Sequence, residues 1–189
     1  MFDEQRIAQA AGYFLHQRGG RMSYLKLMKL LYLADRESLA RHGSSISGDE
    51  YFSLNNGPVL SRTLNLISGM TQSEKGGWET WVSDKDKHEV SLGRHVESIG
   101  DFDELSKADI EVLSAVWAKF GHMTRWQIRD FTHDQRNVPE WENPNGSRKP
   151  IAVRSILQNV GRSPEQIEDD IRAQSSRDAM DQFFDSIPA

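Results

Sequence analysis

Histidine is the residue type in this sequence that is best suited to metal binding or acid–base chemistry. The chain has six, at positions His16, His42, His88, His95, His122 and His133. No two of them lie four residues apart around a glutamate, the spacing that would place two imidazoles on one helix face for zinc. His133 precedes Asp134, which could orient its imidazole, but a pair of this kind is usually structural. We therefore predict that the protein holds no metal and needs no cofactor.

The residue types also give little support for covalent catalysis. The chain has no cysteine, which excludes thiolate chemistry, disulfides and Cys-based zinc or iron–sulfur sites. The sequence contains no G-x-S-x-G turn to present a nucleophilic serine and no glycine-rich phosphate loop. We predict that the protein is not an enzyme.

The net charge of −5 is concentrated at the C-terminal end of the chain. From residue 163 onward there are seven acidic residues against Arg172 and Arg177, so residues 1–162 are neutral. A neutral body disfavours general affinity for nucleic acid, which requires a basic face. The acidic end is typical either of a solvated helix surface or of a segment that binds a basic protein partner.

Length and hydropathy indicate where the protein works and how it is divided. The N-terminus lacks the basic start and unbroken apolar run of a signal peptide. No run of about 18 apolar residues is present to cross a membrane. Together with the missing cysteines, this predicts a cytoplasmic protein. We expect a helical domain over residues 1–162 and an acidic C-terminal helix or tail over residues 163–189, packed on the domain or bound to a partner.

Apolar periodicity predicts a mainly α fold of the α+β class, with a compact helical domain and a buried central helix. A first helix over residues 5–17 ends at Gly19-Gly20. The next begins after Ser23, its predicted N-cap, and ends near His42-Gly43. Its leucines surround the axis on nearly every side, which is typical of a buried helix.

Short β elements accompany these helices. Residues 50–54 have the pattern of a strand, and residues 55–58 that of a turn into a helix that Pro58 would begin. Residues 78–82 and 88–92 flank a polar stretch, which predicts a small β-hairpin.

The second half of the chain carries clear helix-start signals. Ser106 with Asp109 and Thr124 with Gln127 have the spacing of capping boxes, which predicts helices over residues 106–120 and 124–133. Ser163 with Gln166 opens the last helix in the same way, and Pro150 is predicted to begin the one before it.

The two helices within residues 106–133 have the lengths of a helix-turn-helix. The second would expose Arg125 and Arg129, so a DNA-binding transcriptional regulator, acting on its own operator DNA, is an alternative function. Between Lys119 and Arg154, however, the excess of basic over acidic residues is only three, and DNA recognition needs several phosphate contacts as well as base-reading side chains.

Aromatic residues near loops and short strands favour protein recognition instead, because such residues dominate binding energy at interfaces. They are Tyr51, Phe52, Trp78, Trp81, Trp126 and Trp141. In the tail, an apolar stripe at helical spacing is formed by Met180, Phe183, Phe184 and Ile187. The stripe is predicted either to dock on its own domain or to lie in a partner's groove. An exposed tail also leaves open a third function, an adaptor that delivers a partner to a protease.

Two long segments resemble the signature of the Panacea domain. The first is YLKLMKLLYLADRESLARHG followed by GDEYFSLNNGPVLSRTL, and the second is FGHMTRWQIRDFTHDQRNVPEW. The residues that match the core helix are Lys26, Leu27, Lys29, Leu30, Leu31 and Tyr32. Those that match the turn and the second motif are Gly57, Pro58, Val59, Thr132, His133 and Trp141. The chain departs from the pattern at Asn56, where the family commonly has an aromatic-lysine-tyrosine lead into Gly-Pro.

The resemblance to Panacea-domain, SocA-like antitoxins implies membership of a bacterial or prophage toxin–antitoxin system. It implies a protein that neutralises a co-encoded toxin by direct protein–protein binding, with no catalytic residue. Assembly into a homo-oligomer is left open. The cognate toxin is not named by the fold. The predicted partner-binding residues are Tyr51, Phe52, Asn55, Asn56, Pro58, Trp126, Arg129, His133, Trp141, Met180, Phe183 and Phe184.

Overall fold

The computed structural model describes residues 1–83 and 86–186. Within them the helices are α1 (Glu4–Arg18), α2 (Tyr24–His42), α3 (Ser61–Ile67), α4 (Trp78–Trp81), α5 (Lys107–Phe120), α6 (Arg125–His133), α7 (Val153–Asn159) and α8 (Pro164–Asp185). The strands are β1 (Arg21–Ser23), β2 (Tyr51–Leu54), β3 (Gly57–Leu60), β4 (Glu89–Ser91) and β5 (Lys149–Ile151). The prediction of a mainly α fold with small β elements is confirmed. No helix among the described residues is long and apolar enough to cross a membrane.

Helix α2 is the centre of the molecule, as its apolar circumference predicts. Twelve of its residues are buried, Lys26 and Lys29 among them. The helices α1, α5, α6 and α7 and the strand β3 all pack against it. It ends at Gly43, whose φ of 69° is left-handed and suits a glycine after a helix.

Three of the predicted helix starts in the second half are confirmed, and each depends on residues only three positions apart. Ser106, Thr124 and Ser163 each accept a hydrogen bond from the backbone N–H three residues later. Each also forms a complete capping box with that residue. Ser23 occupies its predicted N-cap position, but its side chain makes no capping bond. The residue instead ends β1, where it pairs with Glu89.

Both prolines that were predicted to begin helices lie in strands. Asn55 and Asn56 form a two-residue turn between β2 and β3, so Pro58 pairs with Ser53 and helix α3 begins only at Ser61. Pro150 pairs with Phe52 in β5. The strand order β3-β2-β5 places each proline on an edge strand, where its missing N–H breaks no ladder.

The hairpin predicted from residues 78–82 and 88–92 is confirmed in its second arm and wrong in most of its first. Residues Trp78–Trp81 form the short helix α4, whose first N–H donates to the carboxylate of Glu4 over 2.9 Å. The second arm, β4, pairs with β1. The bridges Val82–Leu92 and Asp86–Glu89, with a 2.9 Å hydrogen bond from the N–H of Ser83 to the carbonyl oxygen of Ser91, join it to the chain that follows α4. The helix depends on a carboxylate 74 residues away in the chain, which no local pattern indicates.

Helix α8 follows α7 and is anchored through its first half. Ile167 is buried, and Arg162 donates to both carboxylate oxygens of Asp170, at 2.8 and 2.9 Å. The Asp170 side chain lies against Gly43, so α8 crosses the C-terminal end of α2. The helix continues without a break to Asp185, and Ile187 of the predicted stripe lies outside the described residues.

Candidate interaction surface

The turn of the β2–β3 hairpin is fixed from beneath by Lys29. This side chain is completely buried in α2, and its ammonium donates to the carbonyl oxygen of Pro58 at 2.7 Å. Burial lowers the pKa of Lys29 to about 7. Gly57, with φ of 94°, has no space for a side chain, since a Cβ would lie 2.9 Å from the Lys29 ammonium and 3.0 Å from the Thr132 hydroxyl. The hairpin turn therefore sits directly on α2 and α6.

Lys26, one turn earlier in α2, holds a second turn in the same way. Its ammonium donates to the carbonyl oxygens of Gly121 and Met123, at 2.6 and 2.7 Å. These carbonyls belong to the connection between α5 and α6, where the C-terminal end of α5 favours a cation. Burial and, secondarily, the charge of Arg18 lower the pKa of Lys26. The two motif lysines are thus structural groups that position α6 and the hairpin.

His133 and Trp141 close the site on the side of α6. Their rings stack with centroids 4.5 Å apart, and the indole N–H of Trp141 donates to the carbonyl oxygen of Leu54 at 3.2 Å. Burial, followed by the positive charges of Lys29 and Arg129, lowers the pKa of His133. Its Nε2 is buried without a hydrogen-bond partner among the described residues. The neutral imidazole therefore acts as a stacking surface.

The outward face of α6 carries an aromatic residue between two guanidinium groups. Trp126 is 48% exposed, and both Arg125 and Arg129 place their guanidinium carbon 4.8 Å from its ring centroid. Trp126, Arg129 and His133 are spaced i, i+3 and i+7, which places them on one helix face. A rigid, amphipathic indole flanked by cations is suited to contact with another macromolecule.

These contacts join into one surface, which we call the hairpin–α6 face. It consists of Asn55, Asn56, Trp126, Arg129, His133 and Trp141. Asn55 and Asn56 are exposed at the hairpin tip. The Asn55 side chain accepts a 3.1 Å hydrogen bond from the N–H of Gly146, which ties the tip to the loop after Trp141.

A cavity of about 340 Å³ lies beside the hairpin tip. Its walls are mostly apolar, with polar groups from the hairpin tip and Ser147 among them. The lining residues are Tyr24, Leu25, Met28, Lys29, Leu54, Asn55, Asn56, Val59, Leu64 and Ser147. Because the Lys29 ammonium already bonds Pro58, the cavity presents an essentially apolar interior next to the hairpin–α6 face.

Other predicted partner-binding residues are buried in the fold. Tyr51 is fully packed, and its hydroxyl donates to the Asp35 carboxylate at 2.9 Å. Pro58 is buried, and Phe52 is half-buried with the guanidinium of Arg148 at 3.8 Å from its ring centroid. Trp78 and Trp81, which the sequence favoured for protein recognition, both belong to the core.

The predicted tail residues lie away from this face. Met180, Phe183 and Phe184 are 56%, 63% and 61% exposed on α8. The helix crosses the C-terminal end of α2, whereas Lys26 and Lys29 lie near its N-terminal end. A 19-residue helix is about 28 Å long, so the tail and the hairpin–α6 face are well separated.

Residue-level reasoning missed several residues that build the site. Glu140 is buried and accepts from Tyr32 at 2.8 Å and Arg36 at 2.7 Å, which joins α2 to the loop before Trp141. Asp35 accepts from the backbone N–H groups of Ile46 and Ser47, both at 3.0 Å. A charged residue within a buried helix is the one local signal for such groups, because a buried charge requires partners.

No group of three or more metal-binding side chains occurs within residues 1–83 and 86–186. The arrangement of the site offers packing surface, stacked rings and exposed amides. Its buried cation and carboxylates are engaged in holding turns and loops together.

Comparison with known proteins identifies the family of the chain. No curated protein and no solved structure matches the chain. A family model described as antitoxin SocA-like, Panacea domain matches residues 27–142, more than half of the chain. The matched region begins in α2, includes the hairpin and α6, and ends just after Trp141. The chain therefore belongs to the SocA-like, Panacea-domain antitoxin family.

Proposed function

We propose that this protein is an antitoxin that neutralises a co-encoded toxin by direct binding, and that the hairpin–α6 face is its contact surface. One observation carries the choice of surface. Motif residues from three distant parts of the chain meet at the hairpin turn, where Lys29 bonds Pro58 and Trp141 bonds the adjacent Leu54. Family membership supports the antitoxin role.

The face has the composition of a binding surface. Trp and Arg are the residue types most often responsible for binding energy, and Trp126 and Arg129 lie together on it. A stable complex would bury about 800 Å² on each partner, which requires neighbouring surface beyond these six residues. The apolar cavity beside Asn55 and Asn56 offers space for a side chain of the toxin.

No catalytic step is part of the proposal. The groups that would be candidates for chemistry have structural partners: Lys29 bonds a carbonyl oxygen and His133 stacks on Trp141. Inhibition by a complex needs complementary shape and charge, and the proposed site of this inhibition is the cytoplasm.

Co-expression tests the proposal in cells. The neighbouring gene should be lethal alone and harmless together with this protein. The double variant Trp126→Ala/Arg129→Ala should lose protection, because it removes the exposed Trp126 and the half-buried Arg129 while leaving the buried Ile128 and Thr132 of α6 intact. The matched control is Lys107→Ala/Glu111→Ala, which removes an exposed pair on α5. If the Trp126→Ala/Arg129→Ala variant protects as well as the wild type, the toxin contact must lie on another surface.

A DNA-binding regulator is the second candidate function. The observation in its favour is the order of α5, a short turn and α6, with Arg125 and Arg129 beside Trp126 on the exposed side of the second helix. Purified protein would then shift its own promoter DNA, with an affinity that falls steeply as salt rises. If the protein binds the toxin but does not shift the promoter DNA, the regulator function is contradicted and the antitoxin proposal remains.

A further inference from the structure

One face of the three-stranded sheet borders the apolar cavity beside the hairpin tip. Side chains alternate along a strand, so Phe52 and Leu54 of β2 share this face, and Val59 lies on it opposite Phe52. Leu54 and Val59 line the cavity of about 340 Å³, together with Ser147 from the loop before β5. The Phe52 side chain therefore lies beside the cavity wall, about 7 Å along the strand from Leu54.

The Phe52 ring holds a guanidinium group next to this cavity. The guanidinium carbon of Arg148 lies 3.8 Å from the ring centroid, and Arg148 directly follows the cavity residue Ser147. A guanidinium stacked on an aromatic ring keeps its N–H donors at its own edge, where two of them can meet one carboxylate. Arg148 forms no ion pair with any carboxylate in the described part of the chain, whereas its neighbour Lys149 pairs with Glu142 at 3.2 Å.

The charges around the cavity favour an anionic group on whatever binds there. Among the described residues, none that lines the cavity is acidic. The cation in its wall, Lys29, is buried and bonds Pro58, and Arg129 on the neighbouring helix is paired with Asp130 at 2.6 Å. The charge of Arg148 is thus uncompensated, and it would attract a carboxylate on a partner.

We infer that the cavity and Arg148 together bind an extended segment of the partner, in which an apolar residue and an acidic residue lie two positions apart. The apolar side chain fills the cavity, and the aspartate or glutamate pairs with Arg148. Alternate side chains of an extended segment lie on one face about 7 Å apart, the same spacing as that between Leu54 and Phe52. The exposed amides of Asn55 and Asn56 border the cavity and can hydrogen-bond the backbone of the segment.

This inference rests on the proposed function and names the chemistry of the toxin segment that the protein would bind. Asn55 and Asn56 belong both to the cavity and to the hairpin–α6 face, so one toxin surface can cover the two together. Burial of the apolar side chain supplies affinity, and the pair with Arg148 supplies specificity.

Calorimetry of the full chain with the purified toxin tests the two contacts separately. Arg148→Gln should bind the toxin roughly tenfold more weakly, as expected for losing a hydrogen bond to a charged group. Ser147→Trp, which places a large side chain in the cavity, should weaken binding at least as much. The matched controls Arg172→Gln and Ser175→Trp change exposed positions on α8 and should bind like the wild type. Unchanged binding by either cavity variant, with thermal unfolding like that of the wild type, would overturn the inference.

Reversal of the charge identifies the acidic partner residue. Arg148→Glu should bind more weakly than Arg148→Gln, because it places two carboxylates together. A lysine in place of one acidic residue of the toxin should then restore binding. Failure of every such toxin variant to restore it would contradict the pairing.

A peptide probe separates failure of this inference from failure of the proposed function. If the wild type does not bind the toxin, a capped glycine-rich peptide with leucine and aspartate two positions apart is added to the full chain, with an asparagine version as control. Amide NMR shifts around Leu54 and Ser147 that are larger with the aspartate peptide, and no longer larger in Arg148→Gln, would support the site. Equal shifts with both peptides, or none with either, would overturn it. Self-association that Ser147→Trp abolishes would also contradict it, because the occupant would then be a second copy.

Discussion

The ammonium group of Lys29 lies 2.7 Å from the carbonyl oxygen of Pro58, although the two residues are 29 positions apart in the chain. The lysine has no exposed surface, and its carbonyl partner belongs to the hairpin that carries Asn55 and Asn56 at its tip. This contact connects the central helix to the candidate interaction surface. A change in Lys29 should therefore appear both in stability and in the hairpin.

The pH dependence of stability should report the burial of Lys29. Its pKa in the folded chain is about 7, against about 10.4 in an unfolded chain. Between these values the unfolded state holds a proton that the native state lacks, so this group makes the free energy of unfolding rise with pH. Below about pH 7 both states are protonated, and the contribution is constant.

The variant Lys29→Met isolates that contribution. We expect the free energy of unfolding of the wild type, minus that of the variant, to increase from about pH 7 to pH 9. The measurement is urea unfolding at several pH values across this window. Titration of His133 does not contribute in this pH window, because its pKa lies below its ordinary value of 6.5. If the free energies of unfolding of the two proteins change in parallel with pH, the burial of the Lys29 ammonium is contradicted.

Removing Asp35 should be severely destabilising. Its carboxylate accepts from the N–H groups of Ile46 and Ser47 and from the hydroxyl of Tyr51, all in the interior. Asp35→Ala leaves these donors without an acceptor, which should cost at least about 3 kcal/mol in the free energy of unfolding. Asp169→Ala, an exposed aspartate on α8, should cost less than about 0.5 kcal/mol. Similar losses for both variants in urea unfolding would refute the network.

Gly57 should tolerate substitution much less well than another glycine of the same backbone class. Gly57 and Gly69 both have positive φ, at 94° and 67°, but only Gly57 has neighbours where a Cβ would be. Gly69→Ala should cost about 1–2 kcal/mol from backbone strain alone. Gly57→Ala should cost more and should also displace the hairpin, because the new methyl group meets Lys29 and Thr132. Thermal unfolding of the two variants gives the comparison, and equal shifts would mean that the hairpin turn is not held against α2.

Elements that depend on short stretches of chain could be predicted from the sequence. The capping boxes at Ser106, Thr124 and Ser163 place the starts of three helices correctly, since each box involves residues three apart. The apolar circumference of α2 likewise predicts its burial.

Pairings between distant residues could not be predicted. Pro58 and Pro150 fit the first turn of a helix as well as an edge strand, and only the partner strand β2 decides between them. Helix α4 depends on Glu4, and the hairpin turn depends on Lys29. The residues of the candidate surface could not be predicted for the same reason. Whether Tyr51, Trp78 or Trp126 is exposed depends on which distant residues pack against it.

The central claim is that the protein inhibits its toxin by forming a complex, with no covalent bond made or broken. Titration of the purified toxin with this protein, followed by separation and mass measurement of the toxin, tests it most directly. We predict that toxin activity falls linearly to zero at a fixed molar ratio, and that the separated toxin regains activity at unchanged mass. Inactivation by a small fraction of that amount, with a changed toxin mass, would contradict the claim.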